Sequence, residues 1–179
     1  MGTYSIPLPA QAWMPTASPA GFVSARLQVR QSDVAVPSPR FVEWLFADDA
    51  DNFVVTQFQV PPNYVSTTGP SLQVYYKMSA AASGSVVWGV RCAAVSNDDT
   101  TPVDTDAFTP ASDNVLGDVV NDLAGALNVL DIPLVNADEA AAGDWITLCL
   151  WRDGDGTYDT DDADSDVEFL GADFLWADT

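Results

Sequence analysis

The sequence predicts an all-β chain folded as an antiparallel β-sandwich of the jelly-roll kind, with at most one short helix. About eight to nine short runs rich in β-branched and aromatic residues are separated by turn signals, several runs alternate polar and apolar residues with period two, and no long 3.6-period pattern is present. With 179 residues and 47% hydrophobic content, one domain is expected. Residues 1–21 read as an extended N-terminal arm and residues 22–179 as the sandwich.

The arm carries Pro7, Pro9, Pro15 and Pro19, which exclude a long helix or a central strand. Trp13 and Met14 within it are too apolar to leave in water and should pack on the same domain or on a neighbour. From Phe22 to Arg30 the residues alternate, with Val23, Ala25, Leu27 and Val29 expected to face inward. Strands follow at 41–46 and 53–60, split by Asp48, Asp49, Asp51 and Asn52, and the second ends at Pro61-Pro62. Residues 72–78 and 85–95 are joined by a connection too short for a parallel crossover, so they are expected to be antiparallel. In the latter run Val86, Trp88, Val90 and Cys92 share the face assigned to the core.

Residues 96–113 are polar and turn-rich and read as a long surface loop. Residues 115–127 admit two readings. Val115, Val119, Leu123 and Leu127 recur as on an amphipathic helix that Asp113 could cap, whereas Gly117 and Gly125 favour a strand and turn. The apolar runs 145–151 and 167–176 are expected to form a β-hairpin. Trp145, Thr147, Cys149 and Trp151 alternate with Ile146, Leu148 and Leu150, so this strand needs a cover on both faces. The second cover is expected from a neighbouring subunit.

The connection between those runs is dense in aspartate. Asp153, Asp155 and Asp159, spaced by glycine, place hard oxygen ligands as calcium loops do, although Thr157, Tyr158 and Asp164 depart from the EF-hand pattern. The other reading is a solvated acidic loop that keeps an edge soluble. Calcium is thus the one cofactor the sequence raises. Cys92 and Cys149 lie in apolar runs where buried free thiols are expected, with a disulfide between them left open.

Twenty-six acidic against six basic residues give a net charge of −20, and Lys77 is the single lysine. Such a surface suits concentrated salt, where a Debye length of roughly 3 Å at 1 M screens the self-repulsion. Direct nucleic-acid binding is disfavoured without clustered Lys and Arg. No apolar run is long enough to suggest a membrane partner, and no export signal is recognisable. With no histidine, imidazole-based triads and most zinc sites are excluded. The abundant carboxylates form pairs by chance, so no catalytic residue is assigned and a non-enzyme is expected.

Ala12-Trp13-Met14-Pro15, Gln59-Val-Pro61-Pro-Asn-Tyr64, Val86-Val-Trp88-Gly-Val90, Ala142-Gly-Asp144, and Arg152-Asp153-Gly154 followed by Asp161-Asp162 and Phe169-Leu170-Gly171 stand in an order that resembles a family of tailed-phage virion β-sandwich proteins. The density of Asp between 153 and 166 departs from that pattern in the way a relative from a virus of salt-loving hosts would. The resemblance implies a capsid decoration or cement protein on the outer surface of the virion head, a homo-oligomer such as a trimer, partnered by the major capsid protein or other virion proteins. Trp13, Met14, Trp44, Trp151 and Trp176 are the candidate interface anchors. The alternative is a tail-fibre, spike or turret module binding a host cell-surface glycan or protein, with Tyr158 as a sugar-stacking residue.

Overall fold

The computed structural model describes residues 2–15, 23–32, 37–65, 69–100, 102–104, 106–108 and 113–177. Eleven strands occur among them: β1 Thr3–Pro9, β2 Val23–Ser24, β3 Arg26–Gln31, β4 Arg40–Phe46, β5 Asn52–Gln59, β6 Ser71–Met78, β7 Ser85–Val95, β8 Asn114–Val119, β9 Leu127–Pro133, β10 Trp145–Arg152 and β11 Val167–Ala177. They form two sheets. Sheet A has the order β3-β4-β11-β6-β9, with β1 also pairing β11, and sheet B has the order β2-β5-β10-β7-β8.

From β4 onward the chain is a jelly roll: β4-β11-β6-β9 faces β5-β10-β7-β8, and the sheet pairs β4–β11, β5–β10, β6–β9 and β7–β8 are antiparallel. The core lies between the sheets. Trp44 and Phe46 of β4, Leu72, Val74, Tyr76 and Met78 of β6, and Phe169, Phe174 and Trp176 of β11 face Val86, Trp88 and Val90 of β7 and Ile146, Leu148 and Leu150 of β10. Trp88 is fully buried, and Phe46 and Tyr76 meet its indole at centroid distances of 5.1 and 5.5 Å. The face assigned to the core in this strand is the one that occupies it.

The expected hairpin does not form. β10 is central in sheet B and β11 is central in sheet A, so residues 153–166 cross from one sheet to the other. A jelly roll places its last two strands in opposite sheets, where each already has a partner on either side: β5 and β7 for β10, β4 and β6 for β11. Residues 115–127 are not helical either. β8 pairs β7, and the chain then turns through Gly125, whose φ of +74° an L residue rarely adopts. Asp113 does not cap a helix: its carboxylate takes Nε and Nη2 of Arg91 at 2.5 and 3.1 Å.

Of the N-terminal segment, residues 3–9 are hydrogen-bonded into sheet A along β11, and residues 16–21 lie outside the described residues. Pro7 and Pro9 are tolerated because β1 has a partner on one side only. A single 3-10 turn, Ala10–Ala12, then carries the chain across the sandwich, and Met14 exchanges two backbone hydrogen bonds with Val55 in sheet B. β2 and β3 make a second crossing, from sheet B to sheet A, around the buried Ala25. Leu27 and Val29 occupy the core-side register of β3, opposite Trp44 and Val42, yet are 50% and 67% exposed because β3 is an edge strand.

Candidate functional site

Residues 153–166 are folded down onto the end of the sandwich. Arg152, fully buried, donates Nε and Nη2 to the Asp161 carboxylate at 2.9 and 2.8 Å, Nη1 to Ser165 O and Nη2 to Ala163 O. Asp161 also accepts the Val87 N–H, and the Asp162 carboxylate accepts the Ser85 N–H at 2.6 Å. Asp153, Ala163 and Ser165 are buried. The loop is anchored at its two ends through Asp153, Asp161 and Asp162, while Asp155 to Thr160 and Asp164 between them stay exposed.

Asp153 is the pivot of its first turn. Its Oδ1 accepts the Thr157 N–H and its Oδ2 the N–H groups of Tyr158 and Asp159, at 2.7 to 2.9 Å. The next residue, Gly154, packs so closely on the β4–β5 loop that a Cβ would lie 2.6 Å from Ala50 O and 2.8 Å from Ala47 O. This contact brings Asp51 of that loop alongside. One carboxylate oxygen from each of Asp51, Asp153 and Asp155 lies within 4.8 Å of the others. Of the three residues read from sequence as a calcium loop, Asp153 and Asp155 are brought together, whereas Asp159 contributes its N–H to Asp153 and turns its own Oδ1 to the Thr160 N–H.

Asp51 is the member that spacing alone could not supply. It is 5% exposed, and its Oδ1 has no hydrogen-bond partner. Burial, then the carboxylates of Asp155 and Asp153, push its pKa up to about 6, against the pull of the Asp155 N–H.

The outer face of sheet B carries a second constellation. Rows of paired residues run Gln59-Trp145-Val95, Gln57-Thr147-Ala93, Val55-Cys149-Arg91 and Phe53-Trp151-Gly89. The last two rows are covered from within the same chain. Phe108 and Val115 pack on Phe53, Cys149 and Trp151, and the Tyr158 ring lies 4.6 Å from that of Trp151. Arg91 completes this cover, with its guanidinium 5.8 Å from the Trp151 ring and Nη2 donating to the Tyr158 hydroxyl. Gly89 is required beneath, because a Cβ there would fall 2.0 Å from the indole. The first two rows stay open as a groove of about 200 Å³, walled by Val103, Asp106 and Phe108 and ending at Trp145, which is 42% exposed.

The aromatic anchors expected at an interface are placed unevenly. Trp13, Trp44, Trp151 and Trp176 are 2 to 5% exposed. Trp13 donates Nε1 to Leu8 O and meets Phe169 edge-on, Trp44 donates to Ala10 O, and Trp176 stacks on Tyr4. These four are cores and covers of their own chain, and Met14, half exposed, is the one with free surface. The free apolar surface lies elsewhere. The edge formed by β8 and β9 shows Leu116, Val119, Leu123, Leu127 and Val129, with Val135 just beyond.

The chain has one more concentration of charge, on the outer face of sheet A. Glu43 and Glu168 are buried side by side, both ion-paired to Lys77 and to Arg30. Gln28 donates to Glu43 at 2.8 Å. Both carboxylates are taken up by cations, which suits a structural cluster and gives no acid–base pair facing a cleft. Cys92 and Cys149 are free, and burial pushes both thiols up to about 12.

No family model matches the chain, and no curated protein matches it in sequence. Among solved structures, it is similar to an arabinose-bound α-L-arabinofuranosidase, MgGH51, with 11% identity and a TM-score of 0.49, over 95% of this chain and 24% of that one. The chain thus spans about a quarter of that enzyme. It is also similar to the family 11 carbohydrate-binding module of the cellulosomal cellulase Lic26A-Cel5E of Clostridium thermocellum, with 8% identity and a TM-score of 0.46, over 99% and 97% of the two chains. These likenesses are of fold.

Proposed function

We propose that this chain is a non-enzymatic virion structural protein, a capsid decoration or cement protein on the outer surface of the head that bridges the major capsid protein and copies of itself. The observation that carries this reading is the apolar β8/β9 edge. Six large apolar side chains from Leu116 to Val135 are exposed on or beside two edge strands of a chain whose net charge is −20. Patches of this kind are placed where another protein covers them. The order of motifs from Trp13 to Gly171 supports a virion origin, and the net charge of −20 keeps such a protein off packaged nucleic acid and soluble in brine. Cryo-electron microscopy of intact virions in their native salt tests it: density for this chain at regular sites on the head, with the β8/β9 edge covered, is expected. Density confined to the tail tip or vertex appendages would overturn it.

One observation favours a second reading, a spike or fibre module that binds a host glycan. Trp145 stands at the end of an open groove with Gln57, Thr147 and Asp106 nearby, an arrangement able to stack on a sugar ring and hydrogen-bond its hydroxyls. Cell or glycan-array binding by the isolated chain that is lost in Trp145→Ala would support this reading over cement.

A further inference from the structure

The geometry points to a calcium site built from Asp51, Asp153 and Asp155, where the β4–β5 loop meets the first turn after β10. Clustered carboxylates on so acidic a chain would mean little by themselves. Here one of them, Asp51, is 95% removed from solvent, and its Oδ1, on a carboxylate that lies among the other two, has no hydrogen-bond partner. A buried carboxylate oxygen without a donor is costly unless something positive satisfies it, and no cationic side chain among the described residues pairs with Asp51. Oxygens bound to one Ca²⁺ at roughly 2.4 Å can stand up to about twice that distance apart, so mutual separations within 4.8 Å are compatible with a shared ion; magnesium, at roughly 2.1 Å, demands a tighter set.

The surroundings hold these ligands ready. Three backbone N–H groups fix the Asp153 carboxylate, the Thr157 N–H and hydroxyl fix Asp155, and the tight seat of Gly154 on Ala47 O and Ala50 O locks the two loops together. Asp155 is exposed, which leaves an entry path and room for water to complete the six to eight oxygen ligands calcium takes. The ion would join the two loops on which sheet B's end is built, independently of whether the protein decorates a head or binds a glycan.

The test uses the full chain, stripped with EDTA and dialysed into about 1 M KCl to screen non-specific attraction. Equilibrium dialysis with Ca²⁺ and thermal melts with Ca²⁺ or Mg²⁺ are the readouts. One Ca²⁺ per chain and a rise in Tm of about 5 °C or more at a hundredfold excess over Kd are expected. Asp51→Asn and Asp155→Asn should each weaken binding at least about tenfold and erase the rise, whereas Asp159→Asn and the exposed control Asp122→Asn should keep it. Asp51→Asn should remain folded in EDTA, since the amide removes a buried charge; should it not, the exposed Asp155→Asn still decides. Absence of binding by the parent chain, unchanged binding by both variants, loss of binding in Asp159→Asn, or an equal response to Mg²⁺ would overturn the assignment.

Discussion

Glu43 and Glu168 lie on neighbouring strands of sheet A, both essentially removed from solvent, and both hold the ammonium of Lys77. They are two of the three glutamates in a chain with 23 aspartates, and Lys77 is its only lysine. Glu168 stands opposite Lys77 in the β11–β6 ladder, and Glu43 reaches the same ammonium from β4, one strand further away. Arg30 closes the cluster from β3, and the Lys77 ammonium also lies 5.2 Å from the Phe41 ring.

Removing the cation from this cluster should be severe. Lys77→Met leaves two buried carboxylates with only a half-exposed arginine, and a loss of about 3 to 5 kcal/mol is expected in urea unfolding. The triple change Glu43→Leu, Lys77→Met, Glu168→Leu should recover most of it, because it removes the charges together. Equal instability of the single and triple variants would show that packing, and not charge, sets the cost.

Gly89→Ala should destabilise by about 1 to 3 kcal/mol, since the new methyl meets the Trp151 indole and must displace it from beneath Tyr158. Tryptophan fluorescence and a thermal melt report this. Combined with Trp151→Leu the effect should shrink, giving a coupling in a double-mutant cycle.

Alkaline pH should unfold the chain by a defined route. Burial raises the Cys92 and Cys149 thiols to about 12, raises Tyr75 to about 12 with help from its hydrogen bond to Asp173, and raises Tyr64 and Tyr76 as well. Each group keeps its proton in the native state after the unfolded chain has lost it. The contribution to stability is therefore complete below pH 9 and falls as pH climbs towards 12, by about 1.4 kcal/mol per pH unit for each buried thiol. Both thiols should also resist an aromatic disulfide reagent at pH 8 until denaturant is added. Rapid labelling of the native chain would contradict the burial.

Leu127→Asp with Val135→Asp should abolish any self-association seen by sedimentation in high salt while leaving the melting temperature within about 2 °C, because both side chains are already in water. Retained association would move the interface away from the β8/β9 edge.

How much of this was legible depends on whether a feature is local or topological. The alternation around Trp88 and the two-sided apolar pattern of β10 were readable, because burial on one or both faces of a strand leaves a period of two or none. The hairpin reading failed from the same data, since apolar patterns do not say which sheet a strand joins, and a jelly roll itself requires β10 and β11 to part. Local spacing singled out Asp153, Asp155 and Asp159; the first two meet Asp51, which is about a hundred residues away in sequence and arrives only through the contact of two loops. The second cover of β10 was expected from another subunit. Over Cys149 and Trp151 the cover comes from Phe108 and Tyr158 of the same chain, single aromatics within polar loops whose composition masks their role, while Trp145 and Thr147 line an open groove. Tryptophans sought as interface anchors proved to be interior, because large aromatics fill cores before they serve contacts.

The pairing of Thr3 with Ala177 and of Pro9 with Gly171 sets how the fold meets mechanical load. Tension applied between residues 3 and 177 acts at the open end of an antiparallel ladder, so the hydrogen bonds of β1 to β11 break one after another. Load shared through the faces of the sheets, by contrast, strains many bonds at once. A chain paired this way resists shear along its sheets far better than tension applied between residues 3 and 177.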